Sequence, residues 1–148
     1  SREDDIIGYP VLTATTIYKG AIVALDDNGY AIPATDTANL RVVGVAEDTV
    51  VNSGASGAKF VRVLSGRAFL FAATSITQAM LGDAMFVVDD NTVDDAAGAT
   101  NEVPVGRLVE YVSATQGWVY IPLGPRTKAR VPDGTYSANE QAVLEDTV

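Results

Sequence analysis

Short apolar runs alternate with clusters of turn-forming residues along this chain, and few runs are long enough for an ordinary helix. Val, Ile, Thr and Tyr fill the runs, while Gly, Asn, Asp and Pro interrupt them, the pattern of a β-rich protein. It predicts strands over residues 9–13, 21–25, 30–33, 41–46, 60–64, 67–72, 84–88, 103–112 and 118–123. Val61-Arg62-Val63-Leu64 and Val119-Tyr120-Ile121 alternate, so one face of each is expected inside. Residues 21–25 and 85–88 are apolar at every position, which predicts strands covered on both sides or lining a barrel or sandwich interior. Asp27-Asn28-Gly29 predicts a hairpin turn and Leu64-Ser65-Gly66-Arg67 a second tight turn. Asn52-Ser53-Gly54-Ala55-Ser56-Gly57 reads as a flexible loop. One short helix is predicted, capped by Thr77, running through Gln78-Ala79-Met80-Leu81 and stopped at Gly82.

The pattern occurs twice. Lys19-Gly20-Ala21-Ile22-Val23-Ala24-Leu25-Asp26-Asp27-Asn28 is followed by Val42-Val43-Gly44-Val45-Ala46-Glu47. Leu81-Gly82-Asp83-Ala84-Met85-Phe86-Val87-Val88-Asp89-Asp90-Asn91 is followed by Pro104-Val105-Gly106-Arg107-Leu108-Val109-Glu110. Gly20 and Gly82, Asp26 and Asp89, Gly44 and Gly106, and Glu47 and Glu110 stand 62 or 63 residues apart. The repeated residues are those of strands and turns, which predicts two related β units around a shared core. The expected fold is mainly β, a compact antiparallel β-barrel or sandwich with one short helix.

Composition narrows the chemistry. The 148 residues suit one domain with a real core, since 47% are hydrophobic. No apolar run reaches the ~18 residues of a membrane span. The acidic start Ser1-Arg2-Glu3-Asp4-Asp5 does not resemble a secretory signal, so a soluble protein made in the cytoplasm is expected. There is no Cys and no His, which removes disulfides, thiol nucleophiles, Cys/His zinc sites and imidazole bases. A net charge of −9 repels phosphate, so no nucleic-acid partner is expected.

Carboxylates are then the remaining catalytic groups. Asp26-Asp27 and Asp89-Asp90 each follow an apolar strand, and neighbours on a strand point to opposite faces, so turn residues in solvent are the expectation. A carboxylate hydrolase would need two such groups ~5–10 Å apart in a cleft. Asp89-Asp90-Asn91-Thr92-Val93-Asp94-Asp95 is rich in oxygen ligands but departs from the EF-hand order, leaving at most a weak Ca²⁺ site. No Gly-x-Ser-x-Gly elbow or phosphate-binding glycine loop occurs. No catalytic residue, cofactor or metal is expected.

The two ends are expected to be arms, over residues 1–15 and 124–148, flanking a β-rich domain at 16–123. Arg126, Lys128 and Arg130 would share one side of an extended segment, suited to a carboxylate-rich neighbour. Ser137-Ala138-Asn139-Glu140 has capping-box spacing before Gln141-Ala142-Val143-Leu144. Ile6, Ile7, Tyr9, Arg126, Lys128, Arg130 and Tyr136 are the candidate partner contacts. Tyr9, Tyr18, Tyr30, Trp118 and Tyr120 offer an alternative, an aromatic platform for a glycan or host surface, or simply core packing.

An ordered series of these motifs resembles the head-decoration, or capsid cement, proteins of tailed bacteriophages. It comprises Ile17-Tyr18-Lys19-Gly20-Ala21-Ile22-Val23-Ala24-Leu25-Asp26, Gly29-Tyr30-Ala31, Pro33-Ala34, Val43-Gly44-Val45-Ala46-Glu47, Asn52-Ser53-Gly54, Gly57, Val61–Gly66, Leu81-Gly82, Val87-Val88-Asp89-Asp90, Thr92-Val93, Val105-Gly106-Arg107 and Trp118-Val119-Tyr120-Ile121. The resemblance covers roughly residues 9–123 and stops before the C-terminal arm. It implies a structural virion protein, often a homotrimer, bound to the major capsid protein on the outside of an assembled shell at subunit junctions. It brings no catalytic residues with it, and the charge and the lack of an apolar span leave no nucleic-acid or membrane partner expected.

Overall fold

A computed structural model describes residues 6–123 of the chain. Twelve strands follow in order: β1 (Ile6–Pro10), β2 (Thr15–Ile17), β3 (Ile22–Leu25), β4 (Ala31–Pro33), β5 (Arg41–Ala46), β6 (Val50–Asn52), β7 (Phe60–Leu64), β8 (Arg67–Ala73), β9 (Ala84–Asp89), β10 (Thr92–Asp94), β11 (Pro104–Ser113) and β12 (Gln116–Ile121). The protein is mainly β, as its residue pattern predicts. The first half forms a five-stranded sheet in the order β1-β7-β5-β3-β4. The second forms a closed barrel, β10-β8-β12-β11-β9, and β2 pairs with β6 as a small accessory ribbon.

The two halves are the same barrel made twice. In the first, Ile22 faces Val45 and Val23 faces Gly44. In the second, Ala84 faces Arg107 and Met85 faces Gly106, each residue 62 positions further on. Both registers then skip one residue, Val43 and Val105, before Ala24 meets Val42 and Phe86 meets Pro104. The pairs Val45–Leu64 and Ala46–Val63 recur as Arg107–Tyr120 and Leu108–Val119, the second strand of each pair now 56 positions on. Tyr9–Val61 recurs as Phe71–Gly117. The closing contact recurs as well. Ala73 pairs in parallel with Val93, and Val11 forms the matching parallel bridge to Ala31. That bridge brings the two edges of the first sheet together at one point, so the first barrel is closed by a single bridge where the second is closed by a pair of strands.

Turns repeat with the strands. Gly20 and Gly82 take φ of 89° and 88°, a left-handed conformation that glycine adopts without a Cβ clash. The Gly20 amide donates to Ala46 O (2.9 Å) and the Gly82 amide to Leu108 O (2.8 Å). The Asx turns differ by one position: Asn28 N donates to Asp26 Oδ1 and Asn91 N to Asp89 Oδ1. This accounts for the spacing of 63 at Asp26 and Asp89, while the 63 at Glu47 and Glu110 goes with a register shift between Leu108 and Glu110.

Each barrel buries its own interior. The first holds Tyr9, Val11, Val23, Leu25, Ala31, Val43, Ala46, Val61 and Val63, with Ile17 from the accessory ribbon. The second holds Phe71, Ala73, Met85, Val87, Val93, Val105, Leu108 and Val119 at the matching places. Ile22, Ala24, Ala34, Val42 and Val45, on the outward face of the first barrel, join that second cluster. This explains why residues 21–25 are all buried: the strand is covered from inside by one barrel and from outside by the other. By contrast Met85 and Val87 are buried while Phe86 and Val88 are half-exposed, so residues 85–88 line a barrel interior with one face only.

Several local expectations change. Residues 6–10 of the expected N-terminal arm are a barrel strand, because they pair with β7 from Ile6–Leu64 to Pro10–Phe60. The helix expected at 78–81 is a single 3-10 turn, Gln78–Met80, and Thr77 makes no side-chain cap. A second 3-10 turn lies at Ala96–Gly98. Leu64-Ser65-Gly66-Arg67 passes the chain from one barrel to the other, and its flanking strands do not pair with each other. The expected C-terminal arm and its terminal helix lie outside the described residues.

The loop at 53–59 is fastened by Asn52, which is 1% exposed. Its Nδ2 donates to Val11 O (2.9 Å), Leu12 O (3.2 Å) and Ala55 O (3.0 Å), and its Oδ1 accepts from Gly54 N (3.0 Å). Asn52→Ala removes all four of these bonds at once from a buried position, and chemical denaturation is expected to show a loss of about 2–4 kcal/mol. Asn52→Asp is expected to cost more, since a carboxylate cannot donate to the same carbonyls.

Candidate docking surfaces

The carboxylates on which chemistry would depend are committed to turns. Asp26 Oδ1 accepts from Asn28 N (2.9 Å) and Tyr30 N (3.0 Å) at the β3–β4 tip. Asp89 Oδ1 accepts from Asn91 N (3.0 Å) at the separate β9–β10 tip. The two pairs thus sit at different hairpin tips. Among the described residues no three Asp or Glu side chains gather to hold a metal ion. In the 89–95 segment Asp94 is buried and binds Asp95 N (2.7 Å), which takes it away from any loop-wide ligand set.

Asp36 joins the two barrels. Its carboxylate accepts from Thr100 N (2.7 Å) and Asn101 N (2.8 Å), and Asn101 Nδ2 donates to Asp36 O (2.7 Å). The Thr100 amide, then the Asn101 amide, hold the Asp36 carboxyl below its ordinary range. The stabilisation is therefore present at neutral pH and lost as pH falls below the usual carboxylate range and through the lowered titration. In melting curves across pH, Asp36→Asn is expected to be less stable than the parent near neutrality, with the gap closing in acid.

A cleft of about 360 Å³ also runs between the barrels, lined by Tyr18, Lys19, Gly20, Ala21, Asp90 and Asn91. Beside it the Ile22 amide donates to Asp90 O (2.6 Å).

The contact residues expected on the N-terminal segment are divided by the strand they form. Ile6 and Ile7 are half-buried in β1, while Tyr9 points into the first barrel and is 9% exposed. Burial raises the Tyr9 hydroxyl above its ordinary pKa. Tyr9 is thus core and not a contact. Arg126, Lys128, Arg130 and Tyr136 lie outside the described residues. Of the other aromatics, Tyr18 and Tyr120 are exposed, and Tyr30 and Trp118 are half-buried.

Exposed apolar residues lie on the outer wall of the second barrel. Leu70 of β8 faces Trp118 of β12, and Tyr120 lies two residues along the same face, opposite Ala68. Leu70 and Tyr120 are 43% and 42% exposed, which places apolar groups where an alternating strand ordinarily carries polar ones. Leu81, Val109 and Val112 are further exposed apolar residues of this barrel. The sequence shows only that both faces of these two strands are apolar; that Leu70, Trp118 and Tyr120 are the outward positions is decided by the structure.

Compared with known proteins, the chain matches no family model, no curated protein and no solved structure. The class it defines is therefore stated by its own geometry: two five-stranded β units of matching register, the second a closed barrel and the first a sheet whose edges meet at a single bridge, joined through one wall.

Proposed function

We propose that this protein is a structural virion component that binds the outer surface of an assembled phage capsid and cements subunit junctions, with the major capsid protein as partner and a homo-oligomer, a trimer by resemblance, as its working form. The observation that carries the reading is the apolar outer wall around Leu70, Trp118 and Tyr120 on a scaffold whose turn carboxylates are engaged by backbone amides. Such a wall suits docking by area. Apolar burial contributes ~25 cal/mol per Å² before association costs, and many copies on one shell act together. The motif series in the sequence points to the same class.

The test is to add the purified chain to shells that lack it and reconstruct the particles. Regular density at lattice junctions, and shells that withstand more heating, are expected. Leu70→Asp with Tyr120→Asp is expected to lower occupancy at least tenfold without unfolding the chain. Bare shells at saturating protein would overturn the proposal.

A further inference from the structure

We propose that the outer wall of β9 and β11 in the second barrel receives the β3–β4 hairpin end of the first barrel from another copy of this chain, so that chains join head to tail. The inference rests on the duplication and not on the capsid reading.

Within one chain the contact between the barrels is heterologous. The outward face of the first barrel, Ile22, Ala24, Val42 and Val45, is fully covered and belongs to the second barrel's apolar cluster. What meets its rim is the β9–β10 tip, through Asp90 O, and the loop at Thr100–Asn101, through Asp36. The matching face of the second barrel is Ala84, Phe86, Pro104 and Arg107, and it is uncovered: Ala84 and Phe86 are half-exposed, Pro104 and Arg107 exposed. The matching rim of the first barrel is open too. Asp27 and Asn28 at the β3–β4 tip, and Ala38 and Asn39 in place of Thr100 and Asn101, are all exposed. One molecule thus carries a used copy of each surface and an unused copy of each. Repeating such a contact between molecules gives a ring, or a filament if it does not close.

Charge supports the same occupant. Arg107 stands where the covered face has Val45, and its guanidinium donates to Gly82 O (2.8 Å), the counterpart of the Gly20 that lines the inter-barrel cleft. The tip that would arrive there carries Asp26 and Asp27. Gly98 occupies the place of Asp36, so the amide clamp of the internal joint has no counterpart between molecules. The intermolecular joint is accordingly the weaker of the two and reversible.

Light scattering or native mass spectrometry of the full chain over a concentration series tests this. The parent is expected to self-associate. Arg107→Asp and Asp27→Arg should each weaken association about tenfold or more, since each sets like charges opposite one another. The double variant, which restores opposite charges in swapped order, should recover to within about threefold of the parent. Circular dichroism and melting curves confirm that each variant is folded. A parent that stays monomeric at every concentration, or single variants that associate as the parent does, would overturn the proposal. A monomer that still coats shells would remove this inference and the homo-oligomer, and leave the binding to capsid junctions intact. A chain that assembles but ignores shells would do the reverse.

Discussion

Leu108→Ala combined with Gly117→Val is expected to recover most of the stability that either change removes alone. The two positions are where the barrels solve one packing problem in opposite ways. The first barrel has Ala46 and Val61; the second has Leu108 and Gly117 at the matching places. Leu108 is fully buried, and a Cβ built on Gly117 would stand 2.8 Å from Leu108 Cδ1 and 2.8 Å from Ile76 Cδ1. The leucine therefore fills the volume that the glycine leaves. Leu108→Ala opens a cavity and should cost about 2–5 kcal/mol. Gly117→Val alone forces two methyl groups into an occupied space, at about 1–3 kcal/mol. Together they rebuild the Ala/Val pairing of the first barrel, and urea denaturation should show a favourable coupling of about 1.5 kcal/mol or more. Strict additivity would mean that the two interiors are not equivalent at this level.

The second large effect concerns two glycines. Gly44→Ala and Gly106→Ala should each destabilise the chain by about 3 kcal/mol or more. A Cβ at Gly44 would run into Leu64 O, and one at Gly106 into Tyr120 O, both main-chain atoms of the neighbouring strand. A side chain can swing away; a ladder strand moves only by giving up its own hydrogen bonds. Gly44 also takes φ of 148°, which adds to its penalty. Gly20 and Gly82 make the comparison clean, because nothing lies within 4 Å of a Cβ there. Alanine at those two sites should cost only the left-handed backbone term, about 1–2 kcal/mol. At roughly 2–4 °C per kcal/mol for a chain of this size, thermal melting separates the two classes.

The repeated motif was legible because its glycines answer strict local demands. Gly20 and Gly82 need positive φ, while Gly44 and Gly106 let an adjacent carbonyl approach. Neither demand tolerates drift, so the two copies kept their spacing. Strands at 41–46 and 60–64 were legible at their full bounds for a related reason: apolar runs flanked by turn residues leave the backbone little choice. The strands β2 and β6 were not, being three residues each and paired with each other across a long stretch of chain, and β10 was not because its three residues lie in an acidic run that reads as turn. The N-terminal segment misled for the same reason, since Ile6 and Ile7 become strand only by pairing with β7. Gln78–Met80 has helical composition, yet Gly82 ends it after one turn, too short to persist as an α-helix. The turn carboxylates were readable from their place after apolar strands. The apolar wall was not, because alternation does not say which face looks outward.

By itself the sequence determined a β protein built from two similar units, with turns at the aspartates and no thiol or imidazole chemistry, because these follow from local backbone preference and residue type. Only the tertiary structure decided that the second unit closes into a barrel and the first into its near copy, that the outward wall of the first is buried by the second, and that the matching wall of the second is left open. Those outcomes depend on contacts between residues far apart along the chain, for which local preference carries no information.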